Sequence, residues 1–119
     1  MKGHVDEALR ALLPIRVSNG ADEFHEVVAW VDTAFNGSLV LPRSAIEQLG
    51  LVQASSAEAV LADGNTVQLE TFACTLEWFG KTYDTQIVAN DSSYPLLGTM
   101  LLNGRKLQVD YESGVLTLD

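Results

Sequence analysis

Apolar and polar residues alternate over most of this chain, in short runs broken by turn residues. Ala11 to Val17 reads as a strand, and Pro14 inside it predicts an edge position. Ser18-Asn19-Gly20-Ala21-Asp22 is turn chemistry, with Asn-Gly its strongest hairpin cue. Phe24 to Val31 follows, and its apolar end, Val27-Val28-Ala29-Trp30-Val31, predicts a strand buried on both faces. Ser38 to Leu41 is a short strand. Pro42, then apolar Ala45, Ile46 and Leu49, then Gly50, mark a short helix with its start and stop. Ala57 to Leu61 and Thr66 to Trp78 flank Asp63-Gly64-Asn65 and read as a hairpin. Thr82 to Ala89 is a further strand. A short helical piece follows Pro95-Leu96-Leu97-Gly98 through Leu101 and Leu102. Lys106 to Tyr111 and Val115 to Leu118 make a last hairpin around Glu112-Ser113-Gly114. Many short strands with frequent turns imply an all-β, closed or strongly curved sheet carrying one or two short helices.

Residues 1–10 show no period and are expected to be an N-terminal tail or a short helix, leaving 11–119 as one domain. At 119 residues and 47% hydrophobic content the chain can build a modest core. Its net charge of −9 and scattered basic residues argue against nucleic acid as a partner. The N-terminus lacks the apolar core of a signal peptide, and no apolar run is long enough for a membrane helix, so a cytoplasmic location is expected. The lone Cys74 lies in an alternating run and reads as a small core hydrophobe. His4 and His25 have no neighbours at metal-ligand spacing, and Trp30 and Trp78 read as core or interface anchors. No metal or cofactor is expected.

One residue breaks the apolar logic. Asp32 ends the Val27–Val31 run and opens the turn Thr33-Ala34-Phe35-Asn36-Gly37. Burying a carboxylate there would cost several kcal/mol unless it were paired or hydrogen-bonded. Asp-Thr, Asp-Gly-Asn and Leu-Leu-Gly are each common; their order and spacing, Asp32, then a helix, then Gly64, then Gly98, carry the signal. This combination resembles the retropepsin-like aspartic proteases over roughly residues 11–118.

The resemblance implies a retropepsin-like closed β-barrel and hydrolysis of peptide bonds by water activated between two carboxylates. Asp32 matches the catalytic aspartate. Thr33 matches the residue whose hydroxyl locks two such loops together, and Ala34 stands where the family usually has Gly. Leu96, Leu97 and Gly98 match the element that packs behind the catalytic loop. Phe35 and Asn36 would line the substrate cleft, while Ala62, Asp63, Gly64 and Asn65 would form the flap over a bound peptide. Viral members often carry an acid where Asn36 stands and an Arg where Thr99 stands, and both are missing together here. The chain has one Asp-Thr-Ala segment, so a two-carboxylate mechanism needs a homodimer, with Tyr111 to Leu118 a candidate for its interface. Ala34 also admits the alternative of a weak or inactive module of the same fold that serves peptide binding or dimerisation.

Overall fold

The computed structural model describes all residues except Leu61, Ala62 and Ser92, and the side chains of Ala57, Ala59 and Val60. Among the described residues, ten strands form one sheet. They are β1 (Lys2–Val5), β2 (Ala11–Ser18), β3 (His25–Val31), β4 (Leu39–Pro42), β5 (Val52–Val60), β6 (Thr66–Trp78), β7 (Lys81–Asn90), β8 (Leu96–Leu97), β9 (Leu107–Asp110) and β10 (Val115–Leu118). Two helices interrupt them, α1 (Arg43–Leu49) and α2 (Thr99–Leu102). The strand order is β5-β6-β7-β4-β8-β3-β2-β1-β10-β9, with an additional pairing of β6 to β2 that folds the sheet back on itself.

Turn chemistry accounts for the local pairings. Phe79 and Gly80 both take positive φ, 51° and 77°, and join β6 to β7 with Trp78 opposite Lys81. A two-residue turn of that hand matches the twist of the strands it connects. Pro42 caps α1 with extended backbone and Gly50 closes it at φ 68°, where a side chain would be strained. Arg43 fixes the start of α1 to the sheet through Glu70 at 2.9 Å and Asp91 at 3.0 Å.

Three expectations need correction. Residues 2–5 are not a loose tail or helix: β1 pairs with β10 from Lys2 to His4 and with β2 at His4 and Val5. β2 is not an edge strand. One side pairs with β3 from Leu12 to Val17, and the other is shared between β1 at Ala11 and Leu12 and β6 at Arg16 to Ser18. Pro14 lies in the interval that side leaves unpaired, so its missing N–H costs the ladder nothing there. β3 is not covered on both faces either: Ala29 and Val31 are buried, whereas Val28 and Trp30 are exposed.

The core gathers Leu13, Ile15, Val17, Ala29, Leu39, Leu41, Ile46, Leu76, Trp78, Ile87, Leu97, Leu116 and Leu118. Cys74 belongs to it, and burial pushes its thiol from 9.0 to about 11. The folded thiol therefore stays neutral where the unfolded one ionises. Its contribution to stability is present below pH 9 and is lost as pH rises toward about 11. At pH 8 we expect native protein to resist iodoacetamide and urea-unfolded protein to react, read as mass gain; equal labelling rates would contradict this burial.

Candidate active site

The site begins with the threading of a two-residue strand. β8 lies between β3 and β4, parallel to the first and antiparallel to the second. The connection from β3 to β4, residues 32–38, must therefore arch over the end of β8. Both feet of the arch are bonded to that strand: Asp32 N–H donates to Leu97 O at 2.9 Å, and Gly98 N–H donates to Ser38 O at 2.9 Å. The first turn of α2 closes the underside. Thr99 donates to Phe35 O from its backbone N–H at 2.8 Å and its hydroxyl at 3.2 Å, and Met100 N–H donates to Gly37 O at 3.2 Å.

Gly98 is the residue this arch cannot do without. A Cβ there would overlap Gly37 O and lie 2.8 Å from Phe35 O. Its φ of −99° is ordinary, so the demand is for space and not for a left-handed backbone.

Within the arch, Asp32 is half-buried, while Thr33, Ala34 and Asn36 are exposed. Asp32 Oδ1 accepts the Ala34 N–H at 2.9 Å, and Phe35 N–H donates to Asp32 O at 3.2 Å, so the carboxylate is held by its own turn. Ala34 is not among the positive-φ residues, so the methyl in place of hydrogen adds no backbone strain. Asp32 and Thr33 face a concavity of about 400 Å³ with Trp30, Val31 and Leu96. Asn36 borders another of about 590 Å³ with Thr99, Met100, Leu102, Asn103 and Gly104.

The structure brings Asp32 to Asn36 together with Leu96, Leu97 and Gly98. Phe35 is half-buried and sets its ring against Gly37 and Gly98, on the loop's own backbone. Asp63, Gly64 and Asn65 are exposed at the tip between β5 and β6. Asp63 accepts from Asn65 N–H and Nδ2 at 2.9 Å each, and Gly64 has φ 87°. Among the described residues, no hydrogen bond or ion pair joins this tip to the Asp32 loop. Ala62 lies outside the described residues.

Sequence reading passed over Ser38, Gly37 and the Arg10 and Tyr94 surroundings of Trp30. Ser38 is buried and supplies the carbonyl that anchors Gly98. Gly37 lies so close to the Phe35 ring that a Cβ would meet its Cζ. Trp30, exposed beside Asp32, packs edge-on against Tyr94 at 6.0 Å, and the Arg10 guanidinium lies 4.3 Å from the Tyr94 ring and 5.9 Å from Trp30. Arg10 is itself held by Asp6 at 2.7 Å. The Arg10 backbone N–H, followed by its guanidinium, keeps the Asp6 carboxyl below the usual range. The signal for this cluster was a lone Arg preceding β2, which no local period connects to residue 94.

No family model and no curated protein matches the chain. Solved structures do. A retropepsin-like aspartic protease from Rickettsia conorii superposes with TM-score 0.60 at 17% identity, covering 99% of this chain and 88% of that one. EIAV protease complexed with the inhibitor HBY-793 gives TM-score 0.56 at 18% identity over 80% of this chain and 86% of that one. The retroviral protease-like domain of Ddi1 from Leishmania major gives 0.51 at 15% identity, covering 91% and 88%. The chain has a retropepsin-like fold.

Proposed function

We propose that this chain is a homodimeric aspartic endopeptidase whose site is completed by the Asp32 of a second copy. The observation that carries the reading is the Asp32 arch. A carboxylate is fixed by backbone bonds to Leu97 and its own turn, yet opens with Thr33 onto a concavity. Two such carboxylates brought together share one proton, because like charges at that separation cannot both ionise; this is the known arrangement of aspartic proteases as a class. The ionised one takes a proton from water as its oxygen bonds to the peptide carbon. The protonated one supports the carbonyl oxygen, and the amine leaves with a proton as the C–N bond breaks. Asn36 is exposed and offers an amide to an extended peptide backbone. The hairpin tip at Gly64 covers the peptide as the flap.

The test is cleavage of a mixed peptide library between about pH 4 and 7, wild type beside Asp32→Asn. Cleavage by wild type alone supports the reading. Absence of cleavage by soluble, dimeric wild type overturns it in favour of a peptide-binding module. Because Ala34 lacks a positive φ, Ala34→Gly is expected to leave kcat/KM unchanged. Activity appearing only in Ala34→Gly would mean that the natural loop is disabled.

A further inference from the structure

A second cavity, of about 350 Å³, opens between α2 and the β6–β7 hairpin and shares no lining residue with the Asp32 concavity. Its residues divide by depth. Ser38, Leu76 and Trp78 are buried, with Thr85 and Leu101 half-buried beside them. Tyr83, Asp84 and Arg105 at the mouth are exposed. The floor is therefore apolar with two hydroxyls, and the mouth carries one charge of each sign. Small-ligand sites have this order of volume, an apolar lining and a few placed polar groups.

The polar groups here have unused capacity. The other three arginines each hold a carboxylate: Arg10 has Asp6, Arg16 has Glu77, and Arg43 has Glu70 and Asp91. Arg105 has none among the described residues, Asp84 included. Its guanidinium instead lies 3.5 Å from the Phe79 ring centroid. Stacking fixes the plane of a guanidinium and leaves its edge N–H groups free to donate. Asp84 Oδ1 accepts the Thr75 hydroxyl at 3.0 Å, which holds the carboxylate and leaves Oδ2 without a hydrogen bond among the described residues. The Ser38 hydroxyl has only long contacts, 3.4 Å to Thr85 Oγ1 and 3.4 Å to Gln86 O. Well-formed O–H···O bonds lie near about 2.8 Å. Ser38 is 5% exposed, and a buried hydroxyl so poorly bonded is costly unless another group meets it.

We propose that this cavity binds a free α-amino acid with a phenolic side chain, tyrosine or a close analogue. The side chain enters first and sets its ring against Leu76, Trp78 and Leu101. Its hydroxyl meets Ser38 and Thr85. At the mouth the α-carboxylate pairs with Arg105 and the α-ammonium with Asp84. The two charges select the zwitterion, because a simple carboxylate meets a like charge at Asp84 and a simple amine meets one at Arg105. A residue inside a peptide carries neither charge and is not a ligand. Nothing in this site depends on the peptidase reading.

The test is an amide NMR titration of the full chain with L-tyrosine, read at Tyr83 to Thr85 and Met100 to Arg105. A dissociation constant of about 1 mM or tighter is expected. L-Tyrosinamide lacks the carboxylate and N-acetyl-L-tyrosine the ammonium, and each should bind about 10-fold more weakly. Arg105→Gln should weaken tyrosine but not tyrosinamide. Asp84→Asn should weaken tyrosine but not N-acetyltyrosine. L-Phenylalanine should bind about 3-fold more weakly than tyrosine, and Ser38→Ala should erase that difference. Arg105 and Asp84 are exposed, so their variants disturb no core and decide the matter even if Ser38→Ala misfolds. Asp32→Asn should bind tyrosine as wild type does. No shift with tyrosine near its solubility limit overturns the site. So does equal binding of tyrosine, tyrosinamide and N-acetyltyrosine, or unchanged affinity in both Arg105→Gln and Asp84→Asn. Loss of binding in Asp32→Asn overturns it too, by placing the ligand in the other concavity. A wild type that binds tyrosine at these residues but cleaves no peptide upholds this site and counts only against the peptidase.

Discussion

Asp32→Asn should lower peptide cleavage by about 10³-fold or more, the range expected when a general acid–base group is lost, with no loss of fold. The asymmetry follows from what each atom of Asp32 does. Its backbone N–H bonds to Leu97 O and its Oδ1 accepts the Ala34 N–H, at 2.9 Å each. Asn keeps both, because its amide has the same backbone and a carbonyl oxygen in the place of Oδ1. What Asn lacks is the capacity to take a proton from water. Because the proposed site draws Asp32 from both copies, one substitution removes both carboxylates, and no residual acid–base pair remains. The measurement is kcat/KM on a peptide cleaved by wild type, with thermal unfolding and sedimentation beside it. An unchanged melting temperature with lost cleavage assigns the chemistry to Asp32. Cleavage retained by a clean Asn preparation would sink the aspartic mechanism, whatever the fold.

Features written in adjacent residues were legible before the structure. The Asn-Gly turn, the Pro42 and Gly50 bounds of α1, and the hairpins around Gly64 and Gly114 are set by local backbone preferences, and each lies where its residues indicate. So does the turn that opens at Asp32. The misreadings concern contacts between distant segments. β1 has only Lys2-Gly3-His4-Val5 to announce it, and it is a strand because β10, over a hundred residues away, runs alongside. Val28 and Trp30 belong to an apolar run, but a run does not say whether a second layer covers it. Here Trp30 is met by Tyr94 and Arg10 and stays 40% exposed beside the site. Pro14 signalled an edge correctly in kind, since it occupies an unpaired interval, but the strand around that interval is central.

The parallel pairings were illegible for the same reason, and they build the site. β8 is only two residues long, and nothing in Leu96-Leu97 predicts its insertion between β3 and β4. The Asp32 loop has its shape because it crosses that insertion. The Leu-Leu-Gly element was recognisable by resemblance, yet its physical role appears only when Ser38 O, Gly37 O and Phe35 O are seen converging on residues 98–100.

That convergence gives Gly98→Ala a large expected effect on both stability and cleavage. The added methyl overlaps Gly37 O and crowds Phe35 O at 2.8 Å, and both obstacles are backbone with no rotamer to yield. The Phe35 ring, 2.5 Å from the same point, closes the other exit. Relief requires the arch to lift from β8, which stretches the Gly98–Ser38, Thr99–Phe35 and Met100–Gly37 bonds together. Overpacking of a tight site costs about 1–3 kcal/mol, and each weakened backbone bond adds about 1 kcal/mol. A loss of about 3 kcal/mol or more should lower the melting temperature by roughly 10 °C or more for a chain of this size. Cleavage should fall even at temperatures where the variant stays folded, because lifting the arch moves Asp32 off Leu97. Gly64→Ala is the control, since its Cβ would meet nothing within 4 Å although its φ of 87° is strained. It should cost only about 1 kcal/mol. If Gly98→Ala melted with wild type and cleaved as fast, the arch would not be held from below, and the positioning of Asp32 would have to come from elsewhere.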